Sequence, residues 1–130
     1  MISFYLEADS GLPTYLQIAR QVEHAIRLGR LQPGDQLPSV RDVVARLAIN
    51  PNTVVKAYRE LESRGLLDSR QGRGTFVREG VGLKPSAVHV SLQRKLRHWI
   101  TGAIASGMTR EDVVALFDSA VHEMFVEGVA

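Results

Sequence analysis

Residues 39–77 of the chain read SVRDVVARLAINPNTVVKAYRELESRGLLDSRQGRGTFV, and this stretch decides the fold. Its first part predicts a short helix, because Ser39 followed by Asp42 is an Asp version of the capping box and apolar residues then recur at helical spacing. A second helix begins at Asn50-Pro51, since Asn is a preferred N-cap and Pro fits the first helical position. Two helices separated by about three residues indicate a helix-turn-helix.

The second of these helices has an apolar side and a polar side on a wheel of about 100° per residue. The apolar side holds Val54, Ala57, Tyr58 and Leu61. The opposite side holds Asn52, Val55, Lys56, Arg59 and Ser63. We expect the first side to pack and the second to contact a partner. The alternative is that the polar residues only cap and solvate a surface helix.

The N-terminus of the same helix has the properties of an anion site. Free backbone N–H groups and the positive end of the helix dipole favour phosphate there. The side chains of Asn50, Asn52 and Thr53 can add contacts to it. Asn also pairs with the edge of adenine, while Arg and Lys favour guanine or phosphate. These properties predict a helix that binds nucleic acid.

After Gly65 the chain predicts a β-hairpin, because LLDSR and TFVR are short extended runs joined by the turn QGRG. Arg70, Gln71 and Arg73 lie at its tip, where glycines allow a partner to approach closely. Cationic side chains at such a tip can enter the minor groove of DNA, whose negative potential is enhanced in narrow A·T segments. The alternative is an ordinary turn with incidental charge.

The residues upstream of this stretch predict a third helix and a connector. Residues 14–28 have apolar side chains at helical spacing, and Gly29 ends the helix. The connector LQPGDQLP, residues 31–38, contains a Pro-Gly turn, and Gln36-Leu37 is expected to add one strand pair. Residues 2–6 alternate between apolar and polar side chains, which predicts either a short strand or only an extended arm.

The residues downstream predict a linker and two helices. EGVGLKPS, residues 79–86, has no periodicity and contains two Gly and one Pro, so we expect the linker there. Two amphipathic helices follow, separated by Gly107-Met108, and Thr109 with Asp112 repeats the capping pattern. The chain is therefore expected to divide into a first domain, residues 1–80, and a linker with two helices, residues 81–130.

Positive charge is concentrated in the middle of the chain. Residues 36–78 contain eight Lys and Arg against four Asp and Glu, whereas the rest contains eight against ten. A local cationic excess on a chain of net charge +2 fits a surface that binds a polyanion. Solvated surfaces give similar counts, so the charge alone does not decide the function.

The composition excludes several kinds of chemistry. The chain has no Cys, and so no disulfide, thiolate zinc site or cysteine nucleophile. Its four His lie far apart, and neither a Ser-His-Asp order nor a P-loop occurs, so we expect no enzyme, metal or cofactor. No apolar run reaches the roughly 18 to 20 residues of a membrane span, and no signal-peptide pattern opens the chain, which predicts a cytoplasmic protein without membrane contact.

The residues from Pro13 to Val77 resemble the N-terminal winged-helix domain of the GntR family of bacterial transcription regulators. The resemblance rests on three pieces in order, LQPGDQLPSVRD, PNTVVKAYRELESRGLL and RQGRGTFV. The C-terminal extension is similar to that of YtrA-type members, which carry two helices used for dimerisation. The resemblance implies an α+β, mainly helical fold, with a winged helix-turn-helix domain followed by a two-helix dimerisation hairpin.

Carried over position by position, the resemblance puts the family's DNA-contacting arginine at Arg41, its recognition-helix start at residues 50–53 and its wing tip at residues 71–73. With their outward-facing neighbours, the candidate DNA-binding residues are Arg41, Asn50, Asn52, Thr53, Lys56, Arg59, Arg70, Gln71, Gly72 and Arg73. Pro51 and Val55 stand where other subfamilies often have basic residues, so their operator preference does not transfer to this chain.

The two C-terminal helices are expected to form a dimer interface, because their apolar stripes offer more surface than one partner helix of the same chain covers. The candidate interface residues are Leu92, Leu96, Trp99, Ile100, Ala103, Val113, Leu116, Phe117, Val121, Met124 and Phe125. The alternative is that both helices pack back onto the winged-helix domain of a monomer. So small a hairpin leaves little room for a cavity. Any small-molecule effector, of unknown identity, is therefore expected at the dimer interface or between domains.

The sequence therefore predicts a homodimeric repressor that binds an inverted-repeat operator in double-stranded DNA. The alternative is a winged-helix adaptor that binds proteins through the same surface, without specific DNA binding. The salt dependence of DNA affinity separates the two, because each neutralised phosphate contributes about 0.9 to the slope of log affinity against log salt.

Overall fold

The computed structural model of the chain describes residues 1–82 and 87–126, which contain five helices and one two-stranded antiparallel sheet. In chain order the elements are α1 (Thr14–Arg27), α2 (Val40–Leu47), α3 (Pro51–Ser63), β1 (Leu67–Arg70), β2 (Gly74–Val77), α4 (Ala87–Ala105) and α5 (Arg110–Phe125). The chain divides into two compact units, Met1–Pro85 and Ser86–Ala130. Of the linker predicted at residues 79–86, residues 83–86 lie outside the described part.

The predicted fold class, α+β and mainly helical, is confirmed, with α2 and α3 as the helix-turn-helix and the β1–β2 hairpin as the wing. The helices start where the caps predict. The Ser39 hydroxyl accepts a bond from the backbone N–H three residues on, and Thr109 and Asp112 form a reciprocal capping box. These bonds satisfy N–H groups that have no partner inside the helix.

The first unit encloses one apolar core between α1, α2, α3 and the wing. Its buried residues are Ile18, Ala19, Val22, Ala25, Ile26, Leu31, Leu37, Val43, Val54, Ala57, Tyr58, Leu61, Leu67 and Val77. The Tyr58 hydroxyl donates to the Pro38 carbonyl over 2.7 Å, which satisfies both groups inside the core. Burial, and then the nearby charge of Asp42, raise the pKa of Tyr58 well above its usual value, so the hydroxyl stays a neutral donor.

The connector before α2 pairs with the wing at one isolated bridge. Leu37 N–H donates to the Thr75 carbonyl and Val77 N–H to the Asp35 carbonyl, each over 2.8 Å. Gln36 pairs with Phe76 in an isolated antiparallel bridge. The strand pair predicted for Gln36-Leu37 is therefore confirmed, and it ties the hairpin to the helical part of the unit.

The N-terminal segment is an extended arm, since residues 1–13 contain no strand. Two glutamines of α1 bind it in place of a neighbouring strand. The Gln21 side chain donates to the Tyr5 carbonyl over 2.7 Å and accepts from the Tyr5 N–H over 3.1 Å. The Gln17 side chain does the same at Glu7, over 3.1 and 2.8 Å. Phe4 packs against the core beside these contacts.

The second unit consists of α4 and α5 joined by a tight turn. Gly107, with φ of 91°, ends α4 in a Schellman turn, in which Met108 N–H donates to the Ala103 carbonyl over 3.1 Å. Ala103 is the one residue of α4 that is buried among those described, and α5 has none. Within residues 1–82 and 87–126, no helix has both the length and the apolar character that crossing a membrane requires.

Candidate nucleic-acid interface

The helix α3 has the two sides that its periodicity predicts. Its buried residues are Val54, Ala57, Tyr58 and Leu61. On the opposite side Asn52, Lys56 and Arg59 are exposed, and with Val55 and Glu60 they line a shallow depression. The packing of one side therefore leaves a polar and cationic surface on the other.

The N-terminus of α3 differs in detail from the predicted anion site. The Asn50 side-chain oxygen accepts from the Asn52 N–H over 2.8 Å, and the Thr53 N–H donates to the Asn50 carbonyl over 3.0 Å. The expectation that these two N–H groups are free is therefore wrong, because the cap already uses them. The helix dipole, the side-chain NH₂ of Asn50 and the exposed Asn52 side chain remain as partners for an anion. Thr53 is half-buried.

Two cations of the candidate set are restrained by aromatic rings. The Lys56 ammonium lies over the Tyr15 ring, 4.2 Å from its centroid. The Arg70 guanidinium lies over the Phe76 ring at 4.5 Å. Such contacts limit the freedom of a long side chain while leaving its charge exposed. Neither aromatic partner was evident from the sequence, because each depends on which helix or strand packs alongside.

Arg41 is exposed in the first turn of α2, directly after the Ser39 cap. In the part of the chain that the structure describes, Arg41, Arg59 and Arg73 have no ion-pair partner within 4.0 Å. Other arginines of the same unit are paired. Arg64 bonds to Glu23 at 2.9 Å, and Arg78 lies 3.7 Å from Asp68. The charges on α2, α3 and the wing tip are thus available to a polyanion.

The wing tip consists of Arg70, Gln71, Gly72 and Arg73, all exposed. The Arg73 N–H donates to the Arg70 carbonyl over 2.9 Å, and Gly72 has φ of 73°. This is the pattern of a type II turn, whose third position favours glycine. The predicted hairpin and its tip are therefore present, with both arginine side chains at the surface.

Sequence reasoning missed the contribution of Gln36. Its Nε2 donates to the Arg73 carbonyl over 3.1 Å, so it contacts the backbone of the wing tip from the connector. The sequence offered one signal, Gly74, beside which this side chain passes. That signal was ambiguous, because a glycine in a hairpin turn is also explained by the turn itself.

The candidate dimer residues on α4 and α5 are mostly exposed. The exposed ones are Leu92, Leu96, Trp99, Leu116, Phe117, Val121, Met124 and Phe125. Ile100 and Val113 are half-buried. Ala103 is only 8% exposed within a single chain, so it has little surface left to offer a partner.

An open groove of about 770 Å³ lies within the first unit, between the N-terminal arm, α1 and the connector. Apolar side chains such as Ile2 and Leu31 and polar ones such as His24, Arg30 and Gln36 line it. Its size is within the range of small-molecule sites. The expectation that only the dimer interface or the junction between domains has room for an effector is therefore wrong. For metals, residues 1–82 and 87–126 contain no cluster of three His, Asp or Glu that could hold an ion.

Comparison with known proteins decides the family. The model of the bacterial regulatory proteins of the gntR family matches residues 14–77, from the start of α1 to the end of β2. The structure of YtrA from Sulfolobus acidocaldarius, a GntR-family transcription factor, is 32% identical and covers 93% of this chain and 98% of its own, with a TM-score of 0.52. The chain belongs to the GntR family.

Within the GntR family the chain is a YtrA-type regulator. The HTH-type transcriptional repressor YtrA of Bacillus subtilis (strain 168) is 43% identical over 74 residues, which are 57% of each protein. The AraR DNA-binding domain in complex with operator ORX1 is 29% identical, with a TM-score of 0.52, and matches 58% of this chain and 95% of that domain. This GntR-family chain is therefore a transcription regulator with DNA-binding relatives, and its relatives are named as regulators and not as enzymes.

Proposed function

We propose that the chain is a sequence-specific repressor that binds an inverted-repeat operator as a homodimer. One observation carries the DNA-binding part. The outward side of α3, the first turn of α2 and the wing tip all present exposed cations that have no carboxylate partner among the described residues. The cost of leaving them unpaired is small in water, and their attraction to a phosphate backbone is large.

In this proposal α3 enters the major groove and the wing contacts an adjacent groove. Asn52 and Arg59 face outward from α3 and can reach base edges, while Lys56, held over Tyr15, is placed for phosphate. Arg41 contacts the backbone from α2, and Arg73 extends from the wing tip. The complete proposed DNA-binding set is Arg41, Asn50, Asn52, Thr53, Lys56, Arg59, Arg70, Gln71, Gly72 and Arg73.

The homodimer is supported by the uncovered apolar side chains of α4 and α5. Trp99 is 39% exposed, Phe117 46% and Met124 56%. So many large apolar residues at the surface of two adjacent helices favour burial against a second copy. Two copies related by a two-fold axis present two recognition helices in opposite directions, and this arrangement matches an inverted repeat.

Repression is the activity named for the B. subtilis relative YtrA, and we extend it to this chain. Occupancy of the operator is sufficient for repression, because a dimer bound where the operator overlaps a promoter excludes the polymerase without any further contact. A small-molecule effector is compatible with the groove beside the N-terminal arm.

A salt titration tests the proposal against the adaptor alternative. Duplexes selected by the protein from a random pool are titrated between about 50 and 200 mM salt, where log affinity should fall steeply with log salt, by about 0.9 per phosphate neutralised. Arg73→Ala should reduce the slope by roughly two in a dimer, one for each copy. A flat salt response, or equal affinity for selected and scrambled duplexes, would favour an adaptor.

A further inference from the structure

Gln36 contacts the wing at two places. Its backbone pairs opposite Phe76 in β2, and its side-chain Nε2 donates to the Arg73 carbonyl at the tip over 3.1 Å. The backbone bonds on either side of Gln36 are made by Asp35 and Leu37 and fix its position beside the strand, and its side chain reaches the turn of the hairpin. The turn at the tip is also closed by a backbone bond from the Arg73 N–H to the Arg70 carbonyl.

Gly74 leaves the space that the Gln36 side chain occupies beside the turn. A Cβ at position 74 would lie 2.7 Å from the Gln36 Nε2, which is closer than such atoms approach. Any side chain there would push the Gln36 amide away from the Arg73 carbonyl. Gly74 also has φ of 121°, a conformation that other residues rarely adopt. From the sequence, the glycines at the tip are expected to let an external partner approach closely. At Gly74 the group that approaches is the Gln36 side chain of the same chain.

We propose that Gln36 is the positioning residue of the wing. Its bond to the Arg73 carbonyl restrains the turn from which the arginine side chain contacts DNA. Binding then costs less conformational entropy than it would from an unrestrained turn. Gln36 acts through Arg73 and requires no DNA contact of its own. The inference rests on the proposed function, because it names what orients a residue of the DNA-binding surface.

The first test compares two methionine variants. Gln36→Met keeps the length of the side chain and removes its donor without adding charge. Gln32→Met is the matched control, since Gln32 is exposed in the same connector and its Nε2 reaches the Gly29 carbonyl at 3.5 Å, away from the wing. We expect Gln36→Met to lower affinity for the selected duplex about three- to tenfold, the range for a lost neutral hydrogen bond. Gln32→Met should bind like the unaltered protein.

A double-mutant cycle separates positioning from general damage. In an Arg73→Ala background, Gln36→Met should lower the affinity for the selected duplex by less than about twofold. The reason is that the effects of two residues that act through one contact are not additive. An undiminished loss in that background would overturn the inference.

A measurement without DNA tests the restraint itself. The ¹⁵N order parameters of Gly72 and Arg73 should fall in folded Gln36→Met and stay unchanged in Gln32→Met. Unchanged values in Gln36→Met would overturn the inference. If the unaltered protein binds no duplex at all, the proposed function fails and this inference with it. If it binds, and Gln36→Met binds equally well, only the inference fails.

Discussion

Single residues differ in how much of their role in the structure can be predicted from the neighbouring sequence. Asn50 was predicted both as a cap and as an anion contact, and the structure shows that its oxygen is committed to the Asn52 N–H. Gln17 and Gln21 fall on the polar side of α1 in the periodicity, yet each binds a peptide group of the arm. Periodicity assigns a side chain to a surface but does not identify the backbone that later covers it.

Arg41 and Arg73 give the first prediction, because both are exposed, unpaired in the described structure and outside the core. Arg41→Ala and Arg73→Ala should each weaken binding to the selected duplex by about 1 to 3 kcal/mol and leave the free energy of unfolding nearly unchanged. Fluorescence anisotropy and chemical denaturation measure the two quantities.

Arg20→Ala is the control for these variants, since Arg20 is an exposed arginine of α1 outside the proposed surface. It should bind nearly as tightly as the unaltered protein. If all three variants lost affinity equally, the effect would come from total charge and the assignment of Arg41 and Arg73 would be incorrect.

At the scale of elements, the prediction succeeded where a local chemical signal marks a boundary. Ser39, Asn50 and Thr109 start α2, α3 and α5 as expected, and Gly65 follows the end of α3. Such signals act over a few residues and need no tertiary partner. The bond from Gln36 to Arg73 joins positions 37 residues apart, and no local pattern could have revealed it.

The turn of the helix-turn-helix gives the second prediction. Ala48 ends α2 with φ of 53° and ψ of 47°, the left-handed conformation that an alanine adopts at a cost of about 1 kcal/mol or more. Ala48→Gly relieves this strain but loses chain entropy on folding, so the free energy of unfolding should rise by up to about 1 kcal/mol.

Ala45→Gly provides the comparison, because Ala45 is exposed inside the same helix. It should lower the free energy of unfolding by about 1 kcal/mol. Urea denaturation of the two variants measures the difference. An equal loss in both would show that the left-handed turn carries no strain that glycine can relieve.

At the scale of the whole molecule, the third prediction concerns the homodimer that we propose, whose interface we place on the apolar side chains of α4 and α5. Phe117→Glu places a charge among them, which is costly to bury without a partner. We expect the dimer dissociation constant to rise at least about tenfold, a change that sedimentation measures over a range of protein concentrations.

Ser119→Glu adds the same charge to an exposed polar position of α5 and should leave the dimer intact. The proposed interface would be excluded if Phe117→Glu dimerised as strongly as Ser119→Glu. It would also be excluded if the unaltered protein stayed monomeric at every concentration.

In the function that we propose, two copies of α3 and the wing recognise one inverted repeat. Selection of bound duplexes from a random pool, followed by sequencing, tests this recognition most directly. We expect enrichment of an inverted repeat whose half-site centres lie about 10 base pairs, or a multiple of that, apart. The Arg73→Ala variant should enrich this repeat less strongly. If the bound duplexes shared no common sequence, or shared a single site without an inverted repeat, recognition of an inverted repeat by two copies would be contradicted.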